Sequence, residues 1–220
     1  MGEWLTLHTQ SGPVRGWLAR ATQPARGAVV VVHEIFGVNA HIRAVVERYA
    51  ETGFVALAPA LFDPVEAGIE LGYDAEGVAR GRDLVAALGF DRAVAIVAAA
   101  GNWLRETEAH VGVVGFCWGG TIAFLANTRL GLPAVSYYGG RSVPFLSETA
   151  QAPMLFHFGE HDPIIPPEDV DQHRRQQPHA TIHVYPAGHG FNCDQRGDYD
   201  ATSAALAHQR TVVFFERTLR

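Results

Sequence analysis

Val111-Gly112-Val113-Val114-Gly115-Phe116-Cys117-Trp118-Gly119-Gly120-Thr121-Ile122-Ala123-Phe124-Leu125-Ala126-Asn127 passes from an apolar run through a glycine-rich turn into small and apolar residues that suit a buried helix. Strand, tight turn and helix in that order form a nucleophile elbow. Its turn forces strained backbone angles, leaves no room for flanking side chains and holds the nucleophile at the top of a sheet. Gly115 and Gly119 meet the steric requirement, and Cys117 stands where the usual G-x-S-x-G pattern has serine. A cysteine between strand and helix is also an ordinary packing residue, so the motif carries chemistry only if partners are found.

Upstream, residues 3–9 and 14–20 read as an edge hairpin turning at Ser11-Gly12-Pro13. Ala28 to Val32 is a valine run without alternation, as expected of a strand covered on both faces. It leads into His33-Glu34-Ile35-Phe36-Gly37, and Asn39 then caps a helix with Ile42, Val45, Val46 and Tyr49 at helical spacing. Phe54 to Ala58 is another buried strand, and residues 60–75 form a long loop of the kind that often serves function. Helical spacing resumes through Val78, Leu84, Val85 and Leu88, and again from Asp91 to Leu104.

Downstream of the elbow, Ala134 to Tyr138, Met154 to Phe158 and Ile182 to Tyr185 read as strands, and Ser203 to Leu219 as a closing helix. This alternation predicts an α/β fold, a mainly parallel sheet of about 7–8 strands with helices on both faces. We expect a single domain over residues 1–220.

In open parallel sheets ligands bind beyond the carboxyl ends of the strands. Four positions there carry reactive chemistry: Glu34, Cys117, Asp162 in Phe158-Gly159-Glu160-His161-Asp162, and His189 in Ala187-Gly188-His189-Gly190. Nucleophile, acid, histidine is the chain order of an α/β-hydrolase triad. His189 would take the thiol proton and return one to the leaving oxygen, while Asp162 fixes its tautomer and stabilises the imidazolium. The oxyanion hole would use the N–H of Trp118 and one from the loop after the 28–32 strand, that of Ile35. Glu34, next to that hole, is read as a site residue able to influence ionisation of Cys117.

Composition removes other classes. The 23 acidic residues exceed the 17 basic ones, for a net charge of −6, and the basic residues are scattered. Neither nucleic acid nor a membrane surface is an expected partner. The chain has no lysine, which excludes Schiff-base catalysis and a Walker A loop. Two cysteines, no membrane-length apolar run and no signal-peptide pattern at the start point to a cytoplasmic protein, a monomer or small homo-oligomer.

These motifs together resemble the dienelactone hydrolase family of α/β-hydrolases, nearly end to end. The matches are His33-Glu34-Ile35-Phe36-Gly37-Val38-Asn39, Gly115-Phe116-Cys117-Trp118-Gly119-Gly120, Tyr137-Tyr138-Gly139, His157-Phe158-Gly159-Glu160 with Asp162, and Ala187-Gly188-His189-Gly190-Phe191. The resemblance implies Cys117, Asp162 and His189 as triad, Ile35 and Trp118 as oxyanion donors, Phe36 and Tyr138 as pocket residues, and Glu34 as a residue that interacts with the thiol. It also implies arginines that hold a substrate carboxylate. One is expected four residues after the catalytic histidine, where this chain has Cys193; Arg196 is a nearby substitute, and Arg80 or Arg82 would supply the other half.

The expected function is hydrolysis of a small lactone or ester through a Cys-His-Asp triad, without cofactor or metal. Zinc spacing is not present, although His157, His161, His183 and His189 lie on or after strands. Cys193 as a resolving thiol for an oxidised Cys117 is a further option, weighed against a simply packed cysteine. The rival reading is a non-catalytic or redox-sensing protein that binds a small carbonyl compound through Cys117.

Overall fold

The computed structural model describes residues 2–108 and 110–219. It is an α/β fold with eight strands and six α-helices. Its contacts divide the chain into two compact units, Met1–Gly112 with Leu219–Arg220, and Val113–Thr218.

In the first unit the strands lie in the order β1-β2-β4-β3. β1 (Glu3–Thr9) and β2 (Gly12–Ala19) form the antiparallel hairpin, with Leu5 opposite Gly16. β2 pairs antiparallel with β4 (Val55–Pro59), which pairs parallel with β3 (Ala28–Val32). Every residue of β3 and β4 is buried, the environment their unalternating apolar sequence demands. Asn39 caps α1 (Ala40–Glu51) by accepting from the Ile42 N–H at 3.2 Å. Burial of Ile42, Val45, Val46 and Tyr49 on one stripe supplies about 1.5–3 kcal/mol for each aliphatic side chain. Asp74 caps α2 (Ala75–Leu88), and Gly89, at φ 74°, turns the chain into α3 (Phe90–Arg105).

The second unit has four parallel strands in the order β5-β6-β7-β8. They are β5 (Val111–Phe116), β6 (Ala134–Tyr137), β7 (Met154–Gly159) and β8 (Thr181–Tyr185). α4 (Trp118–Leu130) follows β5 after one residue and is buried from Trp118 through Thr128, as its nearly all-round apolar sequence requires. Gly131 ends it in the left-handed conformation, φ 67° and ψ 27°. α5 (Pro167–Gln176) joins β7 to β8, and α6 (Ala201–Thr218) packs against β7. Among the described residues no single helix is long and apolar enough to cross a membrane.

Candidate active site

Cys117 is the one residue between β5 and α4. Its φ of 53° and ψ of −119° lie in a region that costs a non-glycine residue energy. The strain is held in place on both sides. A Cβ on Gly115 would fall 1.8 Å from the Gly119 carbonyl oxygen, and one on Gly120 would fall 2.8 Å from that of Tyr137. The Cys117 N–H donates to the Tyr137 carbonyl at 3.0 Å, tying the elbow to β6.

Asp162 sits three residues beyond β7. Its Oδ1 accepts from the N–H groups of Ile164 at 2.8 Å and Ile165 at 3.2 Å, which orients Oδ2 toward His189. His189 Nδ1 donates to that Oδ2 at 2.7 Å, and its Nε2 lies 3.2 Å from Cys117 Sγ. Backbone bonds stitch the two loops together: Glu160 N–H donates to Tyr185 at 2.7 Å and His161 N–H to Ala187 at 3.0 Å. Gly159 permits the approach, since a Cβ there would lie 2.4 Å from the Ala187 oxygen. Cys117, His189 and Asp162 thus form one hydrogen-bonded line.

The electrostatics favour a protonated His189. Burial alone would lower the His189 pKa, but hydrogen bonds to Asp162 and Cys117 and the charges of both outweigh it and push the pKa up to about 10. An imidazolium facing sulfur is the partner a thiolate needs. The Asp162 side chain is fully buried, so its attraction to the ring is little screened by water.

Trp118 is the first residue of α4, so its N–H lies in the first turn, at the positive end of that helix. Tyr138 is buried with φ 41°, strained like Cys117, and its ring stands edge-on 5.2 Å from His189 and 5.4 Å from Phe191. Only glycines advertised backbone demands in the sequence, and the tyrosine's positive φ carried no such signal. The steric roles of Gly120 and Gly159 depend on close backbone approaches that sequence does not display, beyond the cue of a glycine ending β7.

In the first unit, Glu34 is 1% exposed, and Phe36 packs on Tyr73 at a ring distance of 4.5 Å. The peptide between Glu34 and Ile35 is braced from its own unit. Leu61 N–H donates to His33 Nε2 at 3.2 Å, which leaves the proton on Nδ1 to be donated to the Glu34 carbonyl. Burial lowers the His33 pKa to about 4 against the opposing effects of that bond and of Asp63, so the ring is neutral. A Cβ on Gly81 would meet the Ile35 oxygen at 2.3 Å, so α2 also presses on this loop.

The other expected residues are placed differently. Arg80 is paired with Glu66 and shares a surface depression with Glu70, Asp74, Glu76 and Asp83, an acidic setting that is poor for a substrate carboxylate. Arg82 is exposed on α2. Cys193 is fully buried, and neither Cys117 nor Cys193 is in a disulfide. Arg196 rests on the loop that carries His189, its guanidinium carbon 2.8 Å from where a Cβ of Gly190 would be. Both ring nitrogens of His157 are engaged, Nδ1 with the Tyr185 hydroxyl at 2.8 Å and Nε2 with that of Thr211 at 3.0 Å. His189 has both nitrogens engaged as well, and His161 is exposed.

The profile of the dienelactone hydrolase family matches residues 14–219. The chain belongs to the dienelactone hydrolase family. It is 34% identical over 237 residues to a Synechocystis sp. protein provisionally named a carboxymethylenebutenolidase, covering 98% of this chain and 96% of the relative. Identity to the carboxymethylenebutenolidase of Pseudomonas putida is 30% over 224 residues, 96% of this chain and 95% of that one. A crystal structure from Klebsiella pneumoniae, provisionally named a dienelactone hydrolase, superposes with a TM-score of 0.86 at 29% identity over 98% of each chain. Membership in the family gives this chain the α/β-hydrolase fold, in agreement with the strand-helix alternation of the dienelactone hydrolase motifs.

Proposed function

We propose that this protein hydrolyses a small lactone or carboxylic ester through a covalent Cys117 acyl-enzyme. The observation that carries the reading is the line from Sγ to Nε2, 3.2 Å, and from Nδ1 to Asp162 Oδ2, 2.7 Å, centred on a histidine with pKa near 10. The Cys117 thiolate attacks the carbonyl carbon, and the electron pair of the C=O bond moves to oxygen. The Trp118 and Ile35 N–H groups are the donors for that oxyanion. When the C–O bond to the leaving group breaks, the His189 imidazolium protonates the departing alkoxide. In a lactone that alcohol remains part of the acyl group. Neutral His189 then takes a proton from water, hydroxide adds to the thioester, and Cys117 leaves as thiolate with the carboxylic acid released.

The route draws on side chains and backbone alone. Where a substrate carries a carboxylate, Arg196, which lies against Gly190 next to His189 and has Asp198 4.0 Å from its Nη2, is the cation we assign to meet it. Glu34 is assigned to the ionisation of Cys117, and Phe36 and Tyr138 to the pocket wall. Two free cysteines suit a reducing cytoplasm, where we place the enzyme.

Rapid mixing with an activated aryl ester tests this. Product is expected in a burst equal to the enzyme concentration, followed by slower turnover limited by deacylation. Cys117→Ala should remove both phases while its circular dichroism stays that of the parent. Turnover of Cys117→Ala at the parental rate would overturn the assignment.

A further inference from the structure

A cavity of about 500 Å³ lies between α6 and the starts of β7 and β8. Asp162 and His189 lie beyond the other ends of those strands, so this space is separate from the triad. Its size falls within the roughly 300–1,000 Å³ of small-molecule sites. Leu155, Val213 and Phe214 provide apolar walls, while Arg210, Arg217 and His183 provide polar ones.

No carboxylate is among the residues that line it. Among the described residues, neither Arg210 nor Arg217 has an ion-pair partner. The two arginines are seven positions apart on α6, about 10 Å along one face, with Val213 and Phe214 between them. Arg210 is held rather than free to swing: one N–H donates to the Tyr185 hydroxyl at 3.1 Å, and its guanidinium carbon stands 5.4 Å from the Tyr185 ring centre. Tyr185 is in turn fixed by His157 Nδ1 at 2.8 Å. A guanidinium has further donors in its planar fork, so Arg210 can keep Tyr185 and still bind a carboxylate bidentately. The ordering of its long side chain is already met by the fold, which lowers the cost of binding.

We propose that this cavity binds a small organic carboxylate with an apolar body, its charge on Arg210 and Arg217 and its body against Leu155, Val213 and Phe214. A bare inorganic anion would leave those walls exposed to water, and a neutral ligand would leave the two arginines without a counter-charge.

Titration calorimetry of the parent and of Cys117→Ala with naphthalene-2-carboxylate, naphthalene-2-carboxamide and inorganic phosphate tests the site. Saturable binding of one carboxylate per chain is expected in both proteins, which separates this cavity from covalent chemistry at Cys117. Arg217→Gln should weaken it about tenfold, the scale of one charge-assisted hydrogen bond, and Arg210→Gln should do the same. Arg217 is exposed, so its replacement leaves the fold intact and keeps the test informative if Arg210→Gln is destabilised. The amide and phosphate should each bind at least about tenfold more weakly than the carboxylate. Failure of the carboxylate to saturate, indifference of its affinity to Arg217→Gln, or equal affinity for the amide or phosphate would overturn the proposal.

Discussion

At the scale of single residues, protons are placed by hydrogen bonds that the fold has already made. His33 illustrates this away from the triad. In a trans peptide the C=O and the following N–H point in opposite directions. A proton from His33 Nδ1 on the Glu34 carbonyl therefore fixes where the Ile35 N–H points and polarises it. His33 is therefore a positioning residue for the Ile35 N–H that we propose as an oxyanion donor. His33→Ala should lower kcat about 10- to 100-fold with little change in KM, since the donor matters mainly in the transition state. Asparagine at this position, which retains a donor, should recover part of the loss; steady-state kinetics on one aryl ester would show it. An effect confined to KM would mean the loop shapes the pocket instead. Cys117, Asp162 and His189 stand out together in sequence because strand ends, glycines and chain order coincide, and their side chains form one hydrogen-bonded line. The pairing of Arg80 with Glu66 was not legible, because it depends on where a long surface loop folds.

At the scale of elements, backbone proximity decides whether acid and base meet. β7 and β8 continue into loops joined by the Glu160–Tyr185 and His161–Ala187 backbone bonds, and Gly159 is the position where any side chain would force them apart. Gly159→Ala should cost about 1–3 kcal/mol, as for other overpacked interiors, and should lower the His189 pKa because the ring loses alignment with Asp162. NMR titration of the His189 ring protons would check the second effect, and an unchanged pKa would show that the loops close independently of Gly159.

Most elements were readable from apolar runs and helical spacing. α5 was not, because Pro167-Glu168-Asp169-Val170-Asp171-Gln172-His173-Arg174-Arg175-Gln176 buries only Val170 and His173 and shows no apolar stripe. Its signals were of another kind, a proline at the start, acids in the first turn and arginines in the last. The bend at Gly89 was visible as a gap between two helical patterns, but its geometry needed the backbone.

At the scale of the whole molecule, buried histidines make stability depend on pH in opposite directions. His33 titrates near 4 when folded against an ordinary value of 6.5, and burial holds His157 well below that value too. Between those limits the unfolded chain binds more protons, so stability falls as pH drops from 6.5 toward 4. The His33 share is on the order of 3 kcal/mol. His189 acts the other way: its raised pKa contributes stability that is complete below 6.5 and is lost as pH climbs to about 10. Urea unfolding as a function of pH should give a maximum near neutrality, and His33→Gln should flatten the acid side. Acid unfolding with the same slope in that variant would count against a neutral, buried His33.

A covalent acyl-enzyme is a bond to one sulfur, and the mass of the intact protein reads it directly. When the parent is mixed with an acyl ester and quenched in acid during the first turnover, its mass should rise by one acyl group. Hydroxylamine should remove the adduct, peptide mapping should place it on Cys117, and Cys117→Ala should acquire none. An unmodified parent during rapid turnover, or an adduct carried elsewhere and retained in Cys117→Ala, would contradict the account.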